Sequence, residues 1–291
     1  MSLGVLAAAH DFRRACQEAR RDGELALVPT MGYLHAGHVS LIRAAAQCAP
    51  TVAVTIFVNP TQFGPGEDLS RYPRDIDGDL RKCEEAGATF VFAPRGPEEL
   101  YPPGFQTCVE PGLLAAPMEG EKRPGHFRGV CTVVAKLFGL SRADYAFFGE
   151  KDFQQLAVIR RMAADLNLGV EVIGRPIVRE SDGLALSSRN AYLSREERGQ
   201  ATALWKALGA ARAAFTGGEV QPERLEELAR STLSECGLRI DYAELRDPVE
   251  LQRPRKADPT SRLFLAAFLG KTRLIDNGAM GAAAEGGLAP T

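Results

Sequence analysis

The segment that decides the fold is Pro29-Thr30-Met31-Gly32-Tyr33-Leu34-His35-Ala36-Gly37-His38. It follows a short apolar run at 25–29 and precedes an amphipathic stretch at 39–48, so the predicted order is strand, glycine-containing turn and helix. Gly37 lets the backbone approach a ligand closely, and the N–H groups at a helix start suit phosphate. The segment therefore predicts a phosphate site at the end of a buried strand.

His35 and His38 are the most informative residues of this segment, because the chain has only four histidines. Imidazoles on such a turn can donate hydrogen bonds to an α-phosphate as negative charge develops in a transition state. Two alternatives stay open at this level. The histidines can be exposed residues of an ordinary turn, or zinc ligands, although no third ligand lies nearby in sequence. Strand, glycine and helix together favour the phosphate site.

Short apolar runs alternate with amphipathic segments around this motif, as far as residue 176. Such runs predict buried strands, and the segments between them predict helices. The strands are predicted at 25–29, 51–58, 89–93, 145–148 and 170–173, and the helices at 39–48, 76–86, 129–140 and 152–166. This alternation indicates an α/β fold with a parallel sheet covered on both faces. Ligands of such sheets bind at the carboxyl ends of the strands, where the polar motifs lie.

The pattern changes after residue 176, which predicts a domain of residues 1–176 followed by a smaller α+β domain of residues 177–291. A long helix is predicted over 194–215, opened by a capping box of Ser194 and Glu197. A second helix is predicted from Pro222 to Gly237. Three strands are predicted at 239–245, 263–269 and 272–275, and the Gly- and Ala-rich stretch 278–291 predicts a disordered tail.

Asn59 and Gln62 lie where the predicted strand 51–58 opens into a loop. Their side-chain amides offer donors and acceptors that suit the hydroxyl and carboxylate groups of a small substrate. An ordinary loop start is the alternative, because Asn-Pro often begins a turn.

Three later motifs are polar or basic. Gly149 and Lys151 follow the strand 145–148 and suit phosphate, while Asp152 beside them is either a binding residue or a helix cap. The segment Ser-Ser-Arg-Asn at 187–190 can hold a polyphosphate with two hydroxyls and a guanidinium, or form a capped turn. The basic residues of the stretch 119–129 can neutralise a carboxylate or phosphate, or the stretch can form a solvated loop.

Composition and charge exclude several classes of protein. The 291-residue chain has 45% hydrophobic and 25% charged residues, the balance of an ordinary globular protein. Its formal net charge of -2 creates no global field toward nucleic acid or an anionic membrane, and no apolar run is long enough to span one. The six cysteines are scattered, and no signal peptide is evident. We therefore expect a soluble cytoplasmic protein that binds neither nucleic acid nor membrane.

The motifs at 29–38, 59–63, 123–129, 149–155 and 187–190 together resemble the pantothenate synthetase family, over nearly the whole chain. The first motif alone is similar to the His-x-Gly-His signature of the wider nucleotidyltransferase superfamily, which includes the class I aminoacyl-tRNA synthetases. That signature alone implies adenylyl transfer, whereas the set of motifs implies the family. The resemblance also implies a Rossmann-like first domain, a smaller second domain that closes over the ATP site, and a homodimer.

The resemblance assigns roles to individual residues of this chain. His38 is implied as the proton donor, with His35 and Lys151 as further catalytic groups. Gln62 and Gln155 are implied to bind pantoate, and Gln62 is also implied to bind β-alanine. The residues implied to bind ATP are Met31, His35, His38, Gly149, Glu150, Lys151, Asp152, Val178, Leu186, Ser187, Ser188 and Arg189.

Mg²⁺ is implied to accompany the ATP phosphates, with Asp79 as its protein ligand. This chain has Gly78 beside that aspartate, where relatives can be more acidic.

The implied reaction is the ATP-dependent condensation of (R)-pantoate with β-alanine to pantothenate, AMP and pyrophosphate, through a pantoyl-adenylate. It belongs to pantothenate and coenzyme A biosynthesis. One alternative is another nucleotidyltransferase, which adenylylates a phosphate-bearing substrate and would not need Gln62 and Gln155. A second is a catalytically silent nucleotide-binding sensor, which is disfavoured because all the expected polar groups are present.

Overall fold

The computed structural model of the chain describes residues 3–281. The strands are β1 (Gly4–Leu6), β2 (Leu25–Thr30), β3 (Thr51–Ile56), β4 (Phe90–Phe92), β5 (Tyr145–Gly149), β6 (Glu171–Arg175), β7 (Arg239–Arg246), β8 (Arg262–Leu269) and β9 (Thr272–Ala279). The helices are α1 (Ala9–Ala19), α2 (Ala36–Cys48), α3 (Ile76–Ala86), α4 (Glu119–Lys122), α5 (His126–Ser141), α6 (Phe153–Asp165), α7 (Arg195–Gln200), α8 (Ala203–Thr216) and α9 (Pro222–Glu235). The described residues divide into two compact units.

The first unit comprises residues 3–150 and 154–175 and contains a six-stranded parallel sheet in the order β1-β4-β3-β2-β5-β6. The predicted α/β fold with a parallel sheet is confirmed. Strand order reverses between β2 and β5, which pair through Ala26 and Tyr145. Ligands bind at such a reversal, at the carboxyl ends of the strands. The segment 29–38 leaves the sheet at this position, at the end of β2.

The central strands of the sheet, β2 and β3, are mostly apolar. Residues 25–28 of β2 are fully buried, as expected for a strand covered on both faces. Ile42 and Ala45 of α2 pack in the same hydrophobic cluster as Ala26 and Val28. This packing fixes the start of α2 against the end of β2. It thereby also fixes the segment between them that carries His35 and His38, which we call the histidine turn.

The first strand and helix were not predicted. β1 has three residues and pairs only with β4, so its sequence carries no strand pattern of useful length. α1 packs through Phe12, whose ring stacks on Phe92 with centroids 4.7 Å apart.

The second unit comprises residues 151–153 and 176–281 and contains an antiparallel sheet in the order β7-β8-β9. Helices α8 and α9 share its hydrophobic core with the sheet, through buried residues such as Leu208, Leu225 and Leu265. The smaller α+β fold is confirmed. Residues 151–153 were predicted to belong to the first domain, because they follow β5 closely and lead into α6.

Two predictions for this unit are wrong. The single helix predicted over 194–215 is two helices, α7 and α8, separated at Ala201 and Thr202. The tail predicted from residue 278 begins too early, because β9 continues to Ala279 and Met280 is buried. Gly278 pairs with Leu263 of β8, and this backbone pairing overrides the low strand propensity of glycine. The remainder of the predicted tail, 282–291, lies outside the described residues.

Candidate active site

The histidine turn begins with a sharp change of backbone direction. Gly32 and Tyr33 both have positive φ, 84° and 52°, and only Gly32 takes this conformation without steric cost. The Thr30 hydroxyl accepts a hydrogen bond from the Gly32 N–H and donates one to the carbonyl of Thr55. Thr55 lies opposite Pro29 in the sheet, and Pro29 has no N–H to donate. The end of β2 is therefore tied to β3 by a side chain at the point where the turn begins.

The two histidines cap the start of α2 reciprocally. His35 Nδ1 accepts from the Gly37 N–H at 3.2 Å, and His38 Nδ1 accepts from the His35 N–H at 3.3 Å. Because each Nδ1 is an acceptor, the proton of each neutral ring is on Nε2. The ring centroids are 4.1 Å apart. A Cβ at Gly37 would lie 2.9 Å from His35 Nδ1, so glycine leaves the space that the His35 ring occupies.

Asp79 of α3 holds the same turn through hydrogen bonds to its backbone. Its side chain is 1% exposed, and its two oxygens accept from the N–H groups of Tyr33 and Leu34 at 2.7 and 2.6 Å. Burial raises the pKa of the Asp79 carboxyl, and the two backbone N–H groups oppose that shift. Lys82 Nζ lies 4.0 Å from the carboxylate. The residue assigned to Mg²⁺ from the sequence therefore has both oxygens committed to the backbone.

Gln62 lies in the turn after β3, and its amide orientation is set by its neighbours. The Asn59 side-chain oxygen accepts from the Thr61 N–H, and its nitrogen donates to the carbonyl of Gly129. Asn59 therefore also donates to Gln62 Oε1, at 3.1 Å. This leaves the Gln62 NH₂ group directed toward Met31, with Nε2 2.9 Å from Sδ. Gln62 thus presents donors on the side of the histidine turn.

The backbone of Gln62 is held by two residues of the basic stretch. The Gln62 carbonyl lies 2.8 Å from His126 Nδ1 and 3.3 Å from Arg123 Nη2. Arg123 Nη1 lies 3.1 Å from His126 Nε2, and since a guanidinium can only donate, His126 carries its proton on Nδ1. Arg123 also forms an ion pair with Glu67 at 2.7 Å. The charge of Arg123 is therefore paired within the protein, where the sequence left open a role in ligand neutralisation.

His126 is electrostatically distinct from the histidines of the turn. It is 9% exposed, and burial lowers its pKa to about 4, assisted by the positive charge of Arg123. At neutral pH it is uncharged and serves as a hydrogen-bonding group for the Gln62 turn.

The other predicted residues of the first unit lie at the end of β5 and the start of α6. Gly149 is the last residue of β5, and Glu150 follows it. Gln155 is half-buried on α6, whereas its neighbour Gln154 is buried and donates to the carbonyls of Leu114 and Pro117. Gln154 therefore has a structural role, and Gln155 is the member of the pair that was predicted to contact pantoate.

The second unit holds the remaining predicted residues. Lys151 is half-buried and Asp152 is exposed, and the carbonyl of Lys151 accepts from the Asn277 side chain at 2.8 Å. The Leu186 N–H donates to the carbonyl of Val178, so these two predicted residues lie side by side. The Ser187 hydroxyl accepts from the Arg189 N–H at 3.2 Å, which caps the short turn that contains Ser188. The capped turn considered from the sequence is present.

Asp79, His126 and Asn277 hold backbone groups in or next to the predicted site, and none of these contacts was predicted from the sequence. Each contact spans 45 residues or more along the chain: Asp79 to Leu34, His126 to Gln62, and Asn277 to Lys151. A local motif cannot reveal a contact that tertiary folding creates. The one sequence signal was their position, since all three lie within or next to polar stretches.

Comparisons with known proteins identify what this chain is similar to. The family model described as Pantoate-beta-alanine ligase matches residues 4–279. A pantothenate synthetase of Myxococcus xanthus (strain DK1622) is 54% identical over 284 residues, which cover 97% of each chain. The crystal structure of pantothenate synthetase from Thermus thermophilus has a TM-score of 0.91 at 45% identity, covering 96% of this chain and 100% of that one. A pantoate-beta-alanine ligase from Francisella tularensis, described as complexed with beta-gamma ATP and beta-alanine, has a TM-score of 0.80 at 32% identity, covering 96% and 98%.

Proposed function

The chain belongs to the pantoate-beta-alanine ligase family, and we propose from this that it joins pantoate to β-alanine with ATP, releasing AMP and pyrophosphate. ATP enters as a substrate. The Francisella tularensis ligase, described as complexed with a form of ATP and with β-alanine, supports both ligand classes.

One observation carries this proposal: the ends of adjacent strands bring an adenylyl-transfer motif next to a side chain suited to a carboxylate. Met31 belongs to the turn that holds His35 and His38, and Met31 contacts Gln62. The Gln62 NH₂ group faces this turn, and a carboxylate or hydroxyl oxygen of pantoate can accept from it. A nucleotide phosphate at the histidines and a carboxylate at Gln62 would therefore be neighbours.

The first chemical step follows from this juxtaposition. A carboxylate oxygen of pantoate attacks the α-phosphorus of ATP, the bond to the bridging oxygen breaks, and pyrophosphate leaves. Negative charge grows on the phosphate oxygens. The Nε2–H groups of His35 and His38 are preorganised donors for that charge, because backbone amides already fix each ring through Nδ1. His38 is the proposed proton donor.

The second step consumes the mixed anhydride. The amine of β-alanine attacks the acyl carbon, the carbon–oxygen bond to AMP breaks, and the amine nitrogen loses a proton. Gln62, proposed to contact β-alanine as well, keeps the acyl group in place between the steps. Gln155 is the second proposed pantoate residue. The ATP residues of the second unit, 151–152, 178 and 186–189, remain assigned through the family resemblance.

Mg²⁺ remains part of the proposal as a companion of the ATP phosphates, where it neutralises phosphate charge. Within residues 3–281, no group of three or more His, Cys, Asp or Glu side chains is arranged to hold a metal ion. Mg²⁺ in such sites is commonly bound by substrate phosphates and water with one or two carboxylates, and we propose that the ATP phosphates supply much of its coordination.

A homodimer and a cytoplasmic location complete the proposal. The homodimer rests on the family resemblance, and sedimentation analysis of the purified protein would test it. All six cysteines are free thiols, which supports a reducing compartment. In the part of the chain described, no helix is long and apolar enough to cross a membrane.

The test is pyrophosphate exchange into ATP with pantoate and Mg²⁺ present and β-alanine rigorously excluded. Pantoate-dependent exchange supports a bound pantoyl-adenylate, and later addition of β-alanine should yield pantothenate and AMP by mass spectrometry. Exchange that requires β-alanine, in protein shown to bind pantoate without it, would rule out the two-step scheme. A free dinucleotide as product would indicate the other nucleotidyltransferase, and ATP binding without any pyrophosphate release would indicate a sensor.

A further inference from the structure

The turn that carries the two histidines is conformationally costly. Gly32 and Tyr33 are consecutive residues with positive φ, and Tyr33 has a side chain that disfavours this region. Such a backbone persists only where surrounding contacts hold it. Successive N–H groups of this kind converge and form a concave site for an anion.

Asp79 supplies that anion from within the protein. Its oxygens accept from the N–H groups of Tyr33 and Leu34, the two residues that precede His35. The carboxylate is also within 3.0 Å of the position that a Cβ would take at Gly32. The strained segment therefore donates two hydrogen bonds to the Asp79 carboxylate. The next residue in the chain is His35, which caps α2.

This arrangement disfavours a metal-ligand role for Asp79. A Mg²⁺ ion at Asp79 would need an oxygen lone pair directed to an open coordination position. Both oxygens face backbone N–H groups at 2.6 and 2.7 Å, the side chain is 1% exposed, and the ammonium group of Lys82 lies 4.0 Å away. The nearby Asp75 caps α3 by accepting from the Gly78 N–H.

We infer that Asp79 is a positioning residue, which fixes the His35–His38 turn through the Tyr33 and Leu34 amides and does not bind the magnesium of the reaction. This inference rests on the proposed function for the role of the histidines, but the contacts themselves do not depend on it. An isosteric amide at this position can accept from one N–H only, because its NH₂ group cannot accept from the other. The turn should then shift, and the histidine rings with it.

The experiment compares Asp79→Asn with Asp77→Asn. Asp77 is an exposed aspartate on the same helix, and its replacement by asparagine also removes one carboxylate. The chain has four histidines, so their ring signals can be resolved by NMR in the absence of substrates. Asp79→Asn should shift the His35 and His38 ring signals and leave His10 in place, while Asp77→Asn should shift none. Turnover of Asp79→Asn should fall about 10-fold or more, as for misplaced catalytic groups. The Mg²⁺ concentration for half-maximal turnover should change less than about twofold, since no metal ligand is lost.

Unshifted His35 and His38 signals, or a large rise in the Mg²⁺ requirement with normal maximal turnover, would overturn the inference. The wild-type protein gives a second arm that does not depend on the variant folding. Mn²⁺ added without nucleotide should leave the Tyr33 and Leu34 amide signals sharp, whereas selective broadening of these signals would place a metal at Asp79. Failure of the ligase assay in wild type would count against the proposed function, and the NMR comparison would still decide the role of Asp79.

Discussion

Asn277 donates a hydrogen bond from its side-chain amide to the carbonyl of Lys151, at 2.8 Å. Its side-chain oxygen accepts from the guanidinium of Arg262. Because the Lys151 carbonyl can only accept and the guanidinium can only donate, these two partners fix the orientation of the Asn277 amide. Asn277 is 2% exposed and lies on β9. A predicted ATP residue is thus held by a strand that follows it by more than a hundred positions.

Replacement of Asn277 by Asp should weaken ATP use selectively. The carboxylate keeps the Arg262 partner but faces the Lys151 carbonyl without a hydrogen to donate, so the 151–152 segment should move. We expect the KM for ATP to rise about 10-fold, because Lys151 would lose one charge-assisted contact with the nucleotide. The KM for pantoate should be nearly unchanged. Steady-state kinetics would measure both. The exposed Asn167→Asp is the matched control, and an equal rise in both KM values would contradict the expectation.

Gly129→Ala should disturb the proposed pantoate subsite at Gln62 through the backbone. A Cβ at Gly129 would lie 2.2 Å from the Thr61 carbonyl oxygen and 2.7 Å from the Gln62 nitrogen, so the Gln62 turn must move away from α5. We expect the KM for pantoate to rise more than the KM for ATP. Gly139→Ala in the same helix meets no atom within 4 Å and should instead stabilise the protein by about 0.5–1 kcal/mol. Indistinguishable pantoate kinetics in the two variants would remove Gln62 from the pantoate assignment.

His38 should tolerate glutamine better than alanine or asparagine. The Nδ1 atom is used by the His35 amide, so the donor proposed for phosphate is on Nε2, and a glutamine NH₂ reaches approximately that position. Alanine should lower turnover about 10²-fold or more, as for other lost transition-state donors. Glutamine should recover part of this loss and asparagine should not. Turnover of folded variants, checked by circular dichroism, provides the measurement, and a His38→Ala protein with normal turnover would sink the assignment.

The stability of the protein should fall at mildly acidic pH because of His126. Its pKa is about 4 in the folded protein against 6.5 in the unfolded chain, so between these values only the unfolded state binds the proton. The contribution is therefore fully present above pH 6.5 and is lost as the pH falls toward 4. Between pH 7 and pH 4, the free energy of unfolding of the wild-type protein should fall by about 3 kcal/mol more than that of His126→Asn. Asparagine keeps a donor near the Nδ1 position but does not titrate.

Urea unfolding at both pH values would give this difference. His10→Asn serves as the control, because it removes a histidine whose side chain is 80% exposed. An equal acid loss in wild type and in His126→Asn would mean that His126 titrates normally in the folded protein.

The sequence predicted those parts of the fold that local patterns encode. Residues 25–28 are apolar without interruption, and they form a central strand buried on both faces. β1 was missed because three residues carry no period, and the strand at 272–275 was cut short because Gly278 has low strand propensity while its pairing partner lies elsewhere in the chain. Ala201 and Thr202 interrupt a helix whose apolar pattern continues across the break.

For the site, the sequence located the polar groups but not what holds them. His35, His38 and Gln62 were identified because they follow strand ends, which is a topological rule. The orientation of Gln62 depends on Asn59 and on the Gly129 carbonyl, 70 residues further along the chain. The buried state of Asp79 could not be predicted either, because aspartate side chains are mostly exposed to solvent.

The three residues 151–153 have a consequence for how the gene can be divided. The polypeptide enters the second unit at residue 151, leaves it after 153 and returns at 176, so neither unit is encoded by one uninterrupted stretch. Phe153 packs with its ring centroid 6.0 Å from that of Phe264, and its ring faces the Arg262 guanidinium at 3.9 Å. A fragment that starts at residue 176 would expose the Phe264 face that Phe153 covers. Expression of the second unit alone therefore requires residues 151–153 to be grafted back onto it, and a split at residue 176 would yield an incomplete fragment.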